Sequence, residues 1–105
     1  NFNRNEVSII LINRIINKLR IKKMVKDLNI GTNFYIGQGV IIDPSHKNLI
    51  TIGNNVTLAP NVHILAHDAS TKKHIGYTHI GKVKIGDNVF IGANAVIVGG
   101  IEIRK

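Results

Sequence analysis

Cysteine is absent from this chain of 105 residues. Its absence excludes disulfides, thiolate metal sites and a cysteine nucleophile, and is compatible with a reducing cytoplasm. Tryptophan is also missing, and aromatics make up only 5% of the chain, too few to build the stacking platforms that hold single-stranded nucleic acid. No apolar run approaches the roughly 18 residues that a membrane-spanning helix needs. The best run, Val7 to Ile12, is followed rather than preceded by its basic residues, the reverse of a signal peptide. Acidic side chains are few as well: 6 against 14 Lys and Arg, for a net charge of +8. That balance favours polyanionic company, whether nucleic acid, anionic lipid or a phosphate-bearing cofactor, although no nucleic-acid-binding motif accompanies it. The length suits a single domain. Because the sequence opens on Asn1 without Met and stops at Lys105 partway through a repeat, the natural chain is expected to extend past one or both ends.

What is present is a rhythm of six. Ile30, Ile36, Ile42, Ile52, Leu58, Ile64, Ile85, Ile91 and Ile97 each open a hexad, and Phe34, Val40, Val56, Val62, Val89 and Ala95 supply a second apolar position within it. Six is the period neither of a helix nor of an isolated strand. It is the signature of a parallel β-helix of hexapeptide repeats, in which three short strands make one triangular coil. The triplets 30/36/42, 52/58/64 and 85/91/97 give three coils, and Ile103 begins a fourth. Gly31, Asn33, Gly53, Asn54, Asn55, Gly86, Asp87 and Asn88 are expected at corners, where tight turns and positive φ are tolerated. Asn61 reads as a further turn residue. Three coils are few for a repeat protein whose units bury their apolar side chains only against neighbours, so a cap and oligomerisation are both expected.

Residues 1–29 form the cap, and residues 30–105 the β-helix, incomplete at its C-terminal end. Within the cap, Ile9, Ile12, Ile16 and Leu19, then Ile21, Met24, Val25 and Leu28, recur at helical spacing among Lys18, Arg20, Lys22, Lys23 and Lys26. This predicts a helix, or a broken pair, ending near Asn29 and Gly31. Its apolar stripe is expected to cover the open end of the coil or to pack on a neighbouring subunit; lying on an anionic membrane is the alternative. Two interruptions break the rhythm. An insertion is centred on Ser45 to Asn48, and an excursion over about 67–79 leaves the wall as a loop. Loops on rigid scaffolds are where function concentrates.

His67 stands at the start of that excursion, directly after the regular segment Val62-His63-Ile64-Leu65. An imidazole so placed is suited to accept a proton. Asp68 follows it; adjacent side chains on an extended segment point apart, which argues against Asp68 orienting the imidazole, although a loop would permit other geometry. His74 and His79 lie along the excursion, and Lys72 with Lys73 reads as a solvated pair. His63 faces outward from its strand.

The segments Ile52-Gly53-Asn54-Asn55-Val56-Thr57-Leu58-Ala59-Pro60-Asn61-Val62, His67-Asp68 and Ile85-Gly86-Asp87-Asn88-Val89-Phe90-Ile91-Gly92-Ala93-Asn94 resemble the hexapeptide-repeat acyltransferases. The similarity runs from about Leu28 to Ile101. Asp68 to Lys73 with Gly76-Tyr77-Thr78 resembles the branch that O-acetylates sugars of capsules and lipopolysaccharides. The resemblance implies a left-handed parallel β-helix assembled as a homotrimer, with active sites between subunits. It also implies acetyl-CoA as donor and a sugar or glycan hydroxyl as acceptor. His67 would be the general base, Gly92 and Ala93 would line the donor site with the Ala93 amide facing the oxyanion, and Asp68 and His79 would contact acceptor. Neither a resident metal nor a nucleic-acid partner is implied, and the expected location is cytoplasmic, peripheral to the inner membrane face if the basic helix binds there. Two other readings compete. A zinc-dependent enzyme of the γ-carbonic anhydrase kind would use His63, His67, His74 and His79, whose spacings do not match that family's paired-histidine block. A non-catalytic scaffold or truncated acyltransferase would account for the missing C-terminal coils.

Overall fold

The computed structural model describes residues 3–68 and 79–105, with the side chains of Asp68 and His79 outside the described set. One helix, α1 (Arg4–Val25), precedes the coils. The first coil holds β1 (Asn29–Ile30), β2 (Tyr35–Ile36) and β3 (Ile41–Ile42), and the second holds β4 (Ile50–Ile52), β5 (Thr57–Leu58) and β6 (His63–Leu65). After β7 (His67–Asp68) and β8 (His79–Ile80) come β9 (Val83–Ile85), β10 (Phe90–Ile91) and β11 (Val96–Val98), and β12 (Ile101–Ile103) starts a fourth coil. Corresponding strands of successive coils pair in parallel. They form three walls with orders β1-β4-β9-β12, β2-β5-β10 and β3-β6-β11. The molecule is a left-handed parallel β-helix of hexapeptide repeats.

The hexad positions supply the interior. Ile36, Ile42, Ile52, Leu58, Ile64, Ile85, Ile91 and Ile97 are buried, as are Val40, Val56, Val62 and Val89 from the second apolar position. Register explains why: Ile30 pairs with Ile52 and Ile52 with Ile85, so like stacks on like along the axis. β-Branched side chains fit such a column because they are stiff and pack well on a pleated surface.

Glycine and asparagine divide the corner work differently from expectation. Positive φ falls on Asn33, Asn55, Asn61, Asn88 and Asn94, whereas Gly31, Gly53 and Gly86 do not adopt it. Asparagine tolerates that conformation and adds a side chain that bonds the next coil. Asn33 Nδ2 donates to Asn55 Oδ1 at 2.7 Å, and Asn55 Nδ2 to Asn88 Oδ1 at 3.0 Å. Gly53 is required for closeness instead, since a β-carbon there would stand 2.8 Å from the backbone of Gly86 and Asp87.

Helix α1 opens on a capping box between Asn3 and Glu6, which satisfies amides that the first turn leaves free. It ends earlier than the sequence suggested. Lys26 is extended and Asp27, rather than Asn29 or Gly31, takes the left-handed conformation at φ 63°. Lys47, from the insertion, donates to the carbonyls of Lys23 and Lys26 at 3.1 and 2.9 Å, placing a cation where the helix dipole is negative. Only the last turns meet the coil. Ile21, Met24 and Val25 pack against the core, while Ile9, Ile12, Ile16 and Leu19 are 54–60% exposed. The second half of the predicted stripe, Ile21, Met24, Val25 and Leu28, thus meets the core, whereas its first half does not within one chain.

The excursion is anchored by a short antiparallel ribbon in which His67 pairs with Ile80 and Asp68 with His79. Lys72, Lys73 and His74 lie outside the described residues. The edge from which it leaves is tightly closed. A β-carbon on Gly99 would meet Gly81 O, Gly81 N and Ala66 O at 2.6, 2.8 and 2.9 Å, all rigid backbone. At Gly92, by contrast, a β-carbon would find nothing within 4 Å. Urea unfolding is expected to show Gly99→Ala destabilising the protein by about 1–3 kcal/mol through overpacking, with Gly92→Ala within about 0.5 kcal/mol of the parent.

Candidate active site

Where the wall β3-β6-β11 meets the edge, a carboxylate sits inside the protein. Asp43 follows Ile42 directly and is 1% exposed. Stacking brings it beside the second coil, because Ile42 pairs with Ile64 and the Asp43 amide donates to the Ile64 carbonyl at 2.8 Å. Its oxygens are fully engaged. Oδ2 accepts from the His67 Nδ1 at 2.6 Å, the His46 Nδ1 at 2.9 Å and the Ala66 amide at 3.1 Å, and Oδ1 accepts from the Ser45 amide at 3.1 Å. The two imidazole rings lie 5.4 Å apart at 44°.

Two opposing effects set the charge on Asp43. Burial is the largest single influence and pushes the carboxyl up. Hydrogen bonds from His67, His46 and the Ser45 amide together outweigh it and hold the group below its ordinary value. An ionised carboxylate can only accept hydrogen bonds, so both Nδ1 atoms carry hydrogen. In neutral His67 the lone pair then lies on Nε2. The imidazole is 38% exposed and accessible from outside, which is the geometry of a positioned proton acceptor.

Asp43 and His46 were not among the candidates drawn from the sequence. In the sequence, Asp43 is one more residue following a hexad-opening aliphatic, and His46 lies within the insertion Ser45 to Asn48. The available signal was chemical. Among the nine hexad-opening aliphatics from Ile30 to Ile97, the following residue is Gly31, Gly37, Gly53, Ala59, Leu65, Gly86, Gly92 or Val98, and only at Asp43 is it charged. The backbones of Asp68 and His79 pair in the ribbon. His63 is half-buried on β6 and takes no part in the cluster.

Asp43, His46 and His67 also present three potential metal-ligating atoms within 4.8 Å of one another. Their separations of 2.6 and 2.9 Å from the imidazole nitrogens to one carboxylate oxygen match charge-assisted hydrogen bonds. Atoms sharing a tetrahedral zinc at about 2.0–2.1 Å stand farther apart. Of the histidines in the zinc reading, His67 belongs to this cluster and His63 does not, while His74 and the His79 side chain lie outside the described residues.

Gly92 and Ala93 occupy a different edge of the prism. They follow β10, at the corner between the walls β2-β5-β10 and β3-β6-β11, and both are exposed. One chain thus carries His67 and the Gly92–Ala93 pair at opposite borders of the same wall.

Fold and register define the class, and comparison with known proteins agrees. Residues 82–105 match the family described as hexapeptide repeat of succinyl-transferase. Galactoside O-acetyltransferase of Escherichia coli is 34% identical over 83 residues, covering 73% of this chain and 38% of that protein. Probable serine acetyltransferase 1 of Oryza sativa is 41% identical over 70 residues, covering 65% and 22%. Protein CapG of Staphylococcus aureus is 38% identical over 61 residues, covering 54% and 36%. No solved structure gives a significant match. The chain belongs to the hexapeptide-repeat acyltransferase family, and spans less than half the length of these relatives.

A carboxylate held ionised contributes stability that is present above its unfolded pKa, about 3.9, and is lost as pH falls toward the lower folded value. Asp43→Asn sets an amide among groups that only donate, an expected loss of about 1–3 kcal/mol at pH 7. Urea titrations of both proteins should show that difference shrinking as pH drops below about 4.

Proposed function

We propose that this chain carries the base and donor sites of an acetyl-CoA-dependent O-acetyltransferase, acting on a hydroxyl of a sugar or polysaccharide precursor. The observation that supports it most directly is the His67 Nδ1–Asp43 Oδ2 hydrogen bond, in a fold shared with acetyltransferases. Similarity to a galactoside acetyltransferase and to a protein named CapG favours a glycan acceptor. Serine acetyltransferases are relatives too, and in every case the acceptor would be a hydroxyl.

In the reaction, His67 Nε2 takes the proton from the acceptor hydroxyl as its oxygen attacks the thioester carbonyl. Asp43 holds the ring in the required tautomer and stabilises the imidazolium that forms, as a triad carboxylate does. The carbonyl oxygen becomes an oxyanion that the fixed Ala93 amide would stabilise, with no reorganisation at the moment of reaction. Collapse breaks the carbon–sulfur bond, and the departing thiolate takes the proton back from His67. The products are the acetyl ester and free CoA. With no cysteine in the chain, no cysteinyl acyl-enzyme enters. The open space beside Gly92 would leave room for the pantetheine arm.

Because the base and the donor corner border one wall on separate edges, this reading requires a neighbouring subunit to bring them together, as in a homotrimer. Release of CoA by the full-length protein, measured with glycan acceptors, is expected to fall at least about 100-fold in His67→Ala, the scale of a general base. Asp43→Asn should lower it by about 10²- to 10⁴-fold through the wrong tautomer. Near-parent activity in His67→Ala overturns the mechanism.

Subunit mixing tests the shared site. His67→Ala and Gly92→Trp chains, each inactive alone, should yield about a quarter of parent activity when co-assembled at random, since half the sites receive each intact part. Zero activity in the mixture would place both parts in one chain.

A further inference from the structure

Helix α1 has two apolar faces on opposite sides. Ile21, Met24 and Val25 turn inward to the coil. Over the preceding turns the helix presents polar residues to the body instead, and Ile10, Asn13, Arg14 and Asn17 border a cleft of about 270 Å³ with Gln38. The aliphatic side there points away. Ile9, Ile12, Ile15, Ile16 and Leu19 are all more than half exposed. A helix that sets Asn13, Arg14 and Asn17 beside a single isoleucine, Ile10, on the side toward the body and leaves five aliphatics outward is arranged for something outside the chain.

Charge narrows the partner. The helix carries Arg4, Arg14, Lys18, Arg20, Lys22 and Lys23 against a single acid, Glu6. That acid is already bonded to Asn3 in the capping box. Arg4, Arg14, Lys18, Lys22 and Lys23 are exposed. A nucleic acid would match the cations but leave five aliphatics in water. A second copy of α1 would cover the aliphatics, whose 9/12/16/19 spacing is that of a coiled-coil seam, but would bring like charges together with no acids to pair them. An anionic bilayer matches both features, taking the aliphatic face into its acyl boundary while lysine and arginine reach the headgroups.

We propose that the outward face of α1 is a peripheral binding surface for anionic membrane lipid, on which the β-helix is carried. The helix does not span: no described helix is long and apolar enough to cross a membrane.

The test is cosedimentation of the full-length protein with vesicles of phosphatidylcholine alone or mixed 3:1 with phosphatidylglycerol, at roughly 0.1 M salt where exposed charges still act over about 10 Å. Binding to the mixed vesicles only is expected. It should vanish in the Ile12→Asp/Ile16→Asp double variant and weaken about fivefold for each of Lys18→Gln and Lys22→Gln. Circular dichroism melting of the same variants checks that the coil, which these side chains do not touch, stays folded. Equal binding to both vesicle types, no binding, or binding that survives the aspartates overturns the proposal. An oligomer that the aspartates dissociate, without vesicle binding, assigns the face to a second copy instead.

Discussion

The parallel pairing of Ile41 and Ile42 with His63 and Ile64 governs where the chemistry of this molecule can stand. Strict register between coils puts Asp43 one step beyond the first strand of the pair and Ala66 and His67 just beyond the second. Residues 24 positions apart in sequence meet at 2.6 Å because both leave the same wall at the same level. Interior aliphatics supply the energy that holds this register, since a slip of one residue would turn every one of them outward. The core therefore positions the polar site without contacting the reacting atoms.

Asp43 in turn organises the edge. Its donors come from the insertion, through Ser45 and His46, and from the second coil, through Ala66 and His67. A buried carboxylate with fewer partners would favour protonation and lose its hold on the imidazoles. The same insertion reaches in the other direction, where Lys47 caps the end of α1. Five residues after Ile42 thus fasten the helix, the first coil and the base of the excursion, which explains why this break in the rhythm is compact and ordered as a turn at Lys47–Leu49.

Periodicity carried the fold plainly. Every hexad-opening aliphatic from Ile36 to Ile97 is buried, and the breaks fall at the insertion and the excursion. His67 stood out because a lone histidine closed a regular strand. Its partner was hidden because the contact depends on stacking: nothing local to Asp43 records that Ala66 and His67 lie one coil away. Corner conformations were only half legible, since Gly and Asn were grouped as equivalents although Gly31 and Gly53 supply closeness while Asn33, Asn55 and Asn88 supply positive φ. Helix α1 was harder still. A 3.6-residue stripe announces a helix with an apolar side, but the side that meets the body is decided by the chain leaving Val25. There Asp27 reverses the backbone and brings Ile21 and Met24, not Ile12 and Ile16, against the coil.

That orientation separates the two ends of the molecule by chemistry. At the edge, one carboxylate removes ambiguity from two imidazoles by accepting the hydrogens that both Nδ1 atoms offer it, leaving the lone pair of each neutral ring on Nε2. On α1, the single acid is confined to the cap, so nothing offsets the exposed cations beside the aliphatic face. Opposite charge is spent where it fixes geometry and withheld where a surface is left open. In a chain with 6 acids and 14 basic residues, several of the few acids are buried or bonded. Asp43, Glu6 and Asp87, whose Oδ1 accepts the Asn54 amide at 2.6 Å, are placed in that way.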